Sequence, residues 1–136
     1  HTLPLTHYLL CVYEADGCGR KEIWTTPGRG NNTVEHVLPQ TVKPTTEWGK
    51  YWISQFGSVE DCDTYKDRLG NYAFLTKEAQ AKALNKAFHL KKVVYRDDTD
   101  MKLTQELALC AEWNLEEINK RQARMADVWV TSISFS

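Results

Sequence analysis

Apolar residues recur at helical spacing towards both ends of the chain and alternate at strand spacing in short runs between them. Leu5, Leu9, Val12 and Tyr13, followed by Gly17, predict a first helix ending near Ala15. Lys21 to Thr26, with Ile23 and Trp24, reads as a short strand, and Pro27-Gly28-Arg29-Gly30-Asn31-Asn32 as a turn. Thr33 to Leu38 is a second β-prone run. It puts Val34, His36 and Leu38 on one face and Thr33, Glu35 and Val37 on the other, until Pro39 stops the ladder. Trp48, Tyr51, Trp52 and Phe56 form a helical stripe, and Ser58 with Asp61 resembles a capping box for a helix running to about Arg68. Gly70-Asn71 closes that helix, and Tyr72 to Leu75 is a short apolar strand. From Lys77 to Lys92 strong helix formers predict one helix with Ala83, Leu84 and Phe88 on its core stripe. Thr104 is expected to cap a helix through Trp113. Asn114 with Glu117 is expected to cap a last one, with Leu115, Ile118, Met125 and Trp129 facing inward.

Composition narrows the class. At 136 residues, 42% hydrophobic and 26% charged, the chain is neither a disordered tail nor a fibrous repeat, and its length suits a single domain spanning residues 1–136. No apolar run approaches the roughly 20 residues that cross a bilayer, which excludes a helical membrane role. Leu3 to Tyr13 is interrupted by Pro4, Thr6 and His7 and lacks the marks of a signal peptide, so a soluble cytoplasmic protein is expected. Cys11, Cys18, Cys62 and Cys110 show no C-x-x-C spacing and read as free thiols, with Cys110 in a helix. The turn at Pro27 lacks the Gly-Lys-Ser/Thr ending of a phosphate-binding loop.

Charge changes the picture only locally. Seventeen Lys and Arg balance eighteen Asp and Glu for a net charge of -1. Lys77, Lys82, Lys86, Lys91, Lys92 and Arg96 nevertheless form a basic run, and Asp97 to Glu117 reverses the sign. One basic face meeting a polyanion and two solvated helix faces both fit this pattern.

The chemistry concentrates in Thr33-Val34-Glu35-His36-Val37-Leu38-Pro39-Gln40. A neutral imidazole can take a proton from water near pH 7. A neighbouring carboxylate is a hard ligand for magnesium or manganese. Adjacent strand residues point to opposite faces, so both reach one site only if the strand ends or twists there, as Pro39 allows. A structural His–acid pair is the other reading.

Glu-His-Val-Leu-Pro-Gln, then Leu69-Gly70-Asn71 with its apolar strand, then Asn85-x-x-Phe88-x-x-Lys91 stand in the order found in HNH (His-Me finger) endonucleases. With Leu103-Thr104, Ala111-Glu112-Trp113, Ile118, Arg121 and Trp129 downstream, the chain most resembles the C-terminal nuclease domain of GmrSD-type modification-dependent restriction enzymes. That resemblance implies an α+β fold with a ββα-metal core in a mainly helical domain, forming the C-terminal part of a longer protein. It implies His36 as general base, Asn71 as the asparagine bracing the catalytic loop, and magnesium or manganese held by Glu35. The third metal position falls on Gln80, a departure from the usual Asn or His, with Asn85 able to compensate. Lys82, Lys86, Lys91 and Lys92 would hold DNA phosphates. The implied partners are DNA, from phage or carrying a modification, and a nucleotide-hydrolysing sensor domain outside these residues. The implied activity is metal-dependent nicking or double-strand cleavage in a prokaryotic anti-phage system. Gln80 and the near-neutral charge motivate a second hypothesis, a catalytically weakened DNA-binding or regulatory module. Trp48 and Trp52, at helical spacing, read as core before they read as base-stacking platforms.

Overall fold

Local capping chemistry sets most element boundaries in the computed structural model, which describes residues 3–19 and 32–133. Helix α1 spans Leu3–Gly17, strand β1 Asn32–His36, α2 Glu47–Phe56, α3 Val59–Tyr65 and β2 Tyr72–Thr76. Helices α4 Lys77–Ala83, α5 Phe88–Asp97, α6 Lys102–Gln105 and α7 Leu115–Ile133 complete the order, with 3-10 turns at Leu69–Asn71 and Glu106–Leu109. Thr46, Ser58 and Thr76 accept hydrogen bonds from Gly49, Asp61 and Ala79 N–H groups at the starts of α2, α3 and α4. Asn114 does the same for Glu117 at the start of α7. The predicted strand at Lys21 to Thr26 and nearly all of the following turn lie outside the described residues.

The two strands pair antiparallel, with Glu35 opposite Ala73 and His36 opposite Tyr72. Both strand edges are covered by side chains. On β2 the Thr104 hydroxyl accepts from Phe74 N–H at 3.2 Å and donates to Phe74 O at 2.7 Å. On β1 the Gln80 amide donates to Val34 O at 3.0 Å. Thr104 is therefore an edge cap inside α6 and not the start of a helix through Trp113. That segment is a four-residue helix, a 3-10 turn and coil, and Cys110 lies outside any helix and half-buried.

The core joins Leu10, Trp52, Phe56, Phe74, Leu75, Phe88, Tyr95, Trp113, Ile118 and Met125. Among the described residues the sheet is small and the protein mainly helical, an α+β architecture. No described helix is long and apolar enough to cross a membrane. Among the described residues Cys11, Cys62 and Cys110 are reduced thiols, and the Cys18 thiol donates to Glu14 at 3.4 Å. On α1 the buried residues include Thr6, Leu10, Cys11, Val12, Glu14 and Ala15, so of the expected stripe Val12 is buried and Tyr13 packs on the core while Leu5 is exposed. Glu14 is held inward because its carboxylate accepts from Lys102 and Leu103 N–H groups at the start of α6.

The single helix expected from Lys77 to Lys92 is two helices. Leu84 takes φ +44°, ends α4 and is 61% exposed, so it leaves the core stripe it was assigned to. The physical reason is tertiary: the Trp52 indole N–H donates to Asn85 O and Lys86 O at 3.2 Å each, satisfying carbonyls that the break frees. Gly70 is required by packing, since a Cβ there would sit 2.3 Å from Ile118 O on α7. Arg121 of α7, buried, donates to Gly70 O and Tyr72 O at 2.9 and 2.6 Å and so pins the entry to β2.

Candidate functional site

His36 ends β1, where the chain turns towards Pro39. The turn is held by Asn71. Its backbone carbonyl accepts from Val37 N–H at 3.0 Å, its side-chain oxygen from Leu38 N–H at 2.8 Å, and its amide donates to Leu38 O at 3.0 Å. The remaining capacity of the side chain goes to Lys66 O and the Trp113 indole N–H. Asn71 is fully buried, so it touches no substrate. It holds the backbone of the two residues after His36.

Glu35 and His36 stand at adjacent strand positions, whose side chains alternate between faces, yet both line one cleft together with Pro39. Glu35 is buried. Its Oε2 accepts from the Lys91 ammonium at 3.0 Å and the Tyr95 hydroxyl at 2.7 Å, and its Oε1 from the Gln80 amide at 3.2 Å. Lys91 is 0% exposed and also donates to His36 O and Val37 O at 2.9 and 3.0 Å. Burial lowers the Lys91 pKa, and the Glu35 carboxylate opposes that shift.

This arrangement corrects two expectations. Lys91 is not a surface phosphate contact, because no solvent reaches it. Glu35 is not an open cation ligand, because both its oxygens are committed and one faces a buried ammonium that would repel a dication. The expected magnesium or manganese set of Glu35, Gln80 and Asn85 therefore does not fit. Gln80 and Asn85 share the cleft lining with Glu35, whose carboxylate is paired with Lys91, and the described residues contain no cluster of three or more His, Cys, Asp or Glu side chains.

The cleft itself measures about 440 Å³ along the outer edge of β1, with His36, Gln40, Lys77, Gln80 and Asn85 among its lining. The structure thus brings Glu35, His36, Gln80 and Asn85 to one cavity. Of the remaining lysines, Lys82 is exposed and paired with Asp98 at 3.2 Å, while Lys92 lies over the Phe88 ring. Lys86 is half-buried. The basic run is not one continuous face. Trp52 is core, and Trp48 lines a smaller cavity of about 230 Å³ that shares Asn85.

Three residues were not singled out by sequence reasoning. Lys77 and Gln40 line the cleft, and Asp67 accepts a hydrogen bond from His36 Nε2 at 3.2 Å and from the Tyr72 hydroxyl at 3.1 Å. Lys77 was visible only as one member of the basic run. Asp67 sits four positions before Asn71 in a charged turn that carries no motif.

The His36 pKa is lowered from 6.5, chiefly by burial; Asp67 and the Glu35 charge raise it, and the Lys91 charge adds to the lowering. The imidazole is then neutral at pH 7. An NMR titration should place the His36 midpoint below 6.5. Around and below that value the unfolded chain binds more protons than the folded one, so stability rises with pH there. The contribution of His36 is lost as pH falls through its folded midpoint. A midpoint above 6.5 would mean that Asp67 outweighs burial.

Fold and cleft together define the class: a small α+β protein with a histidine at a strand end, turned to a polar cleft beside the helix that follows the second strand. The chain belongs to the family of GmrSD restriction endonucleases, C-terminal domain, which matches residues 5–128. That membership ties it to the nucleases of restriction systems. No curated protein and no solved structure matches it.

Proposed function

We propose that this chain is an HNH (His-Me finger) DNA endonuclease, with β1, β2 and α4 as its ββα unit, working in a prokaryotic restriction system against phage or modified DNA. The observation that carries the reading is the placement of His36, its pKa lowered chiefly by burial, in the cleft of a GmrSD C-terminal domain. His36 takes a proton from a water molecule. The hydroxide so formed attacks the phosphorus in line, the P–O3′ bond breaks, and its electron pair leaves with the 3′-oxygen, which takes a proton from solvent. The products are a 3′-hydroxyl and a 5′-phosphate.

Lys77 and the amides of Gln40 and Asn85 hold the scissile phosphate and its neighbours. Asn71 and Lys91 fix the backbone from which His36 projects. No step is routed through a cation, because the donor set does not fit one as expected. Recognition of a DNA mark and nucleotide hydrolysis belong to a sensor domain outside these residues.

The test is nicking of supercoiled plasmid by wild type and His36→Ala, with magnesium, with manganese and with chelator. Cutting that requires His36 supports the enzyme. The commitment of Glu35 to Lys91 favours the second reading, a weakened DNA-binding module, and retention of DNA without cutting would establish that instead.

Salt dependence tests the cleft separately. Lys77→Ala should flatten the slope of log binding constant against log salt by about one unit. Fluorescence anisotropy on a short duplex reads it, and an unchanged slope would remove Lys77 from the interface.

A further inference from the structure

We infer that Asp67 is a positioning residue that selects which nitrogen of His36 acts on water, an inference that rests on the nuclease reading above. His36 and Tyr72 face each other across the two strands and share one sheet face. Their rings meet edge-on with centroids 4.8 Å apart. The same Asp67 oxygen receives both of them, His36 Nε2 at 3.2 Å and the Tyr72 hydroxyl at 3.1 Å. Tyr72 is buried, and its hydroxyl anchors the carboxylate that in turn holds the ring.

A carboxylate only accepts, so the shared bond requires Nε2 to carry the proton. Nδ1 is then the basic nitrogen of the neutral ring. It has no partner among the described residues, where no side-chain nitrogen or oxygen is both buried and unpaired, so it is open to solvent. His36 lines the cleft and Asp67 is not among its lining, so Nε2 is assigned to Asp67 and Nδ1 to the cleft. In the step proposed above, the water O–H bond breaks and the proton goes to Nδ1. The resulting imidazolium, protonated on both nitrogens, has its charge opposite Asp67.

Stability does not account for this contact. The Asp67 side chain is 57% exposed, and an exposed pair of this kind contributes little to folding. Glu35 cannot take its place, since its carboxylate is bound to Lys91.

Long-range ¹H–¹⁵N NMR at pH 7 reads the tautomer, with His36→Ala identifying the signal among the four histidines. Wild type should show Nε2–H. Asp67→Asn presents an amide that can donate to Nε2, and should shift the ring towards Nδ1–H. The variant should keep the wild-type melting temperature and its affinity for DNA, while the single-turnover nicking rate falls about ten-fold or more. Asp67→Glu should restore part of the rate. An Nδ1–H tautomer in wild type, or an Asp67→Asn variant that nicks at the wild-type rate, would overturn the inference. So would a variant that loses its fold, which would make Asp67 structural. If wild type does not nick while Nε2–H is present and is lost in Asp67→Asn, the nuclease reading fails and the orientation of His36 by Asp67 stands.

Discussion

Replacing His36 by alanine is expected to lower plasmid nicking by a factor on the order of 10² or more, while the protein keeps its fold and its affinity for DNA. The size follows from the role. General-base assistance is lost outright, because the described residues offer no other imidazole or free carboxylate in the cleft lining. The fold should survive because His36 is only half-buried, at the end of its strand, and its side chain's one hydrogen bond among the described residues goes to an exposed carboxylate. The turn behind it is held by Asn71 and Lys91 through backbone atoms, which the substitution leaves in place. Circular dichroism and duplex binding measured alongside nicking distinguish the outcomes. A variant that cuts normally removes His36 from the mechanism. A variant that unfolds assigns the Glu35–His36 segment a structural role and weakens the nuclease reading.

Replacing Lys91 by alanine is expected to produce the largest loss of stability, about 3–5 kcal/mol in urea unfolding. The ammonium makes three bonds, to Glu35 Oε2, His36 O and Val37 O, and no solvent reaches it to supply substitutes. Its removal leaves a buried carboxylate facing two backbone carbonyls with no cation between them. Replacing both members, Glu35→Leu with Lys91→Met, should recover much of the loss, since an apolar pair of similar volume avoids burying charge. Lys77→Ala, at an exposed site, should unfold like wild type. If Lys91→Ala instead kept full stability and flattened the salt dependence of DNA binding, Lys91 would be a phosphate contact after all. The two lysines therefore predict opposite pairs of results, one in stability and one in salt slope.

Elements set by neighbours in the chain were legible in the sequence. The Ser58 and Asn114 caps act within three residues, and the Trp48–Phe56 stripe is a matter of helical period, so both read directly from residue order. The first strand was readable except at its end, expected at Leu38 and found at His36, and the strand after Gly70-Asn71 was readable as well. The family followed from the ordered set of short motifs, since that order is itself a property of the sequence.

Partnerships between distant residues were decided only by the tertiary structure. Lys91 belonged by composition to a basic surface run, yet it reaches across 56 positions to Glu35 and disappears from the surface. A lysine's long stem allows either fate, and nothing adjacent to it in the chain selects one. The break at Leu84 depends on the indole of Trp52, more than thirty positions away, capturing two carbonyls. Asp67 meets His36 across 31 positions from a turn that carries no motif. The sequence by itself determined the helix caps, the two short strands and the family. Folding decided which charged groups His36 meets, because a charge becomes a partner or a surface group only when the packing around it excludes or admits water.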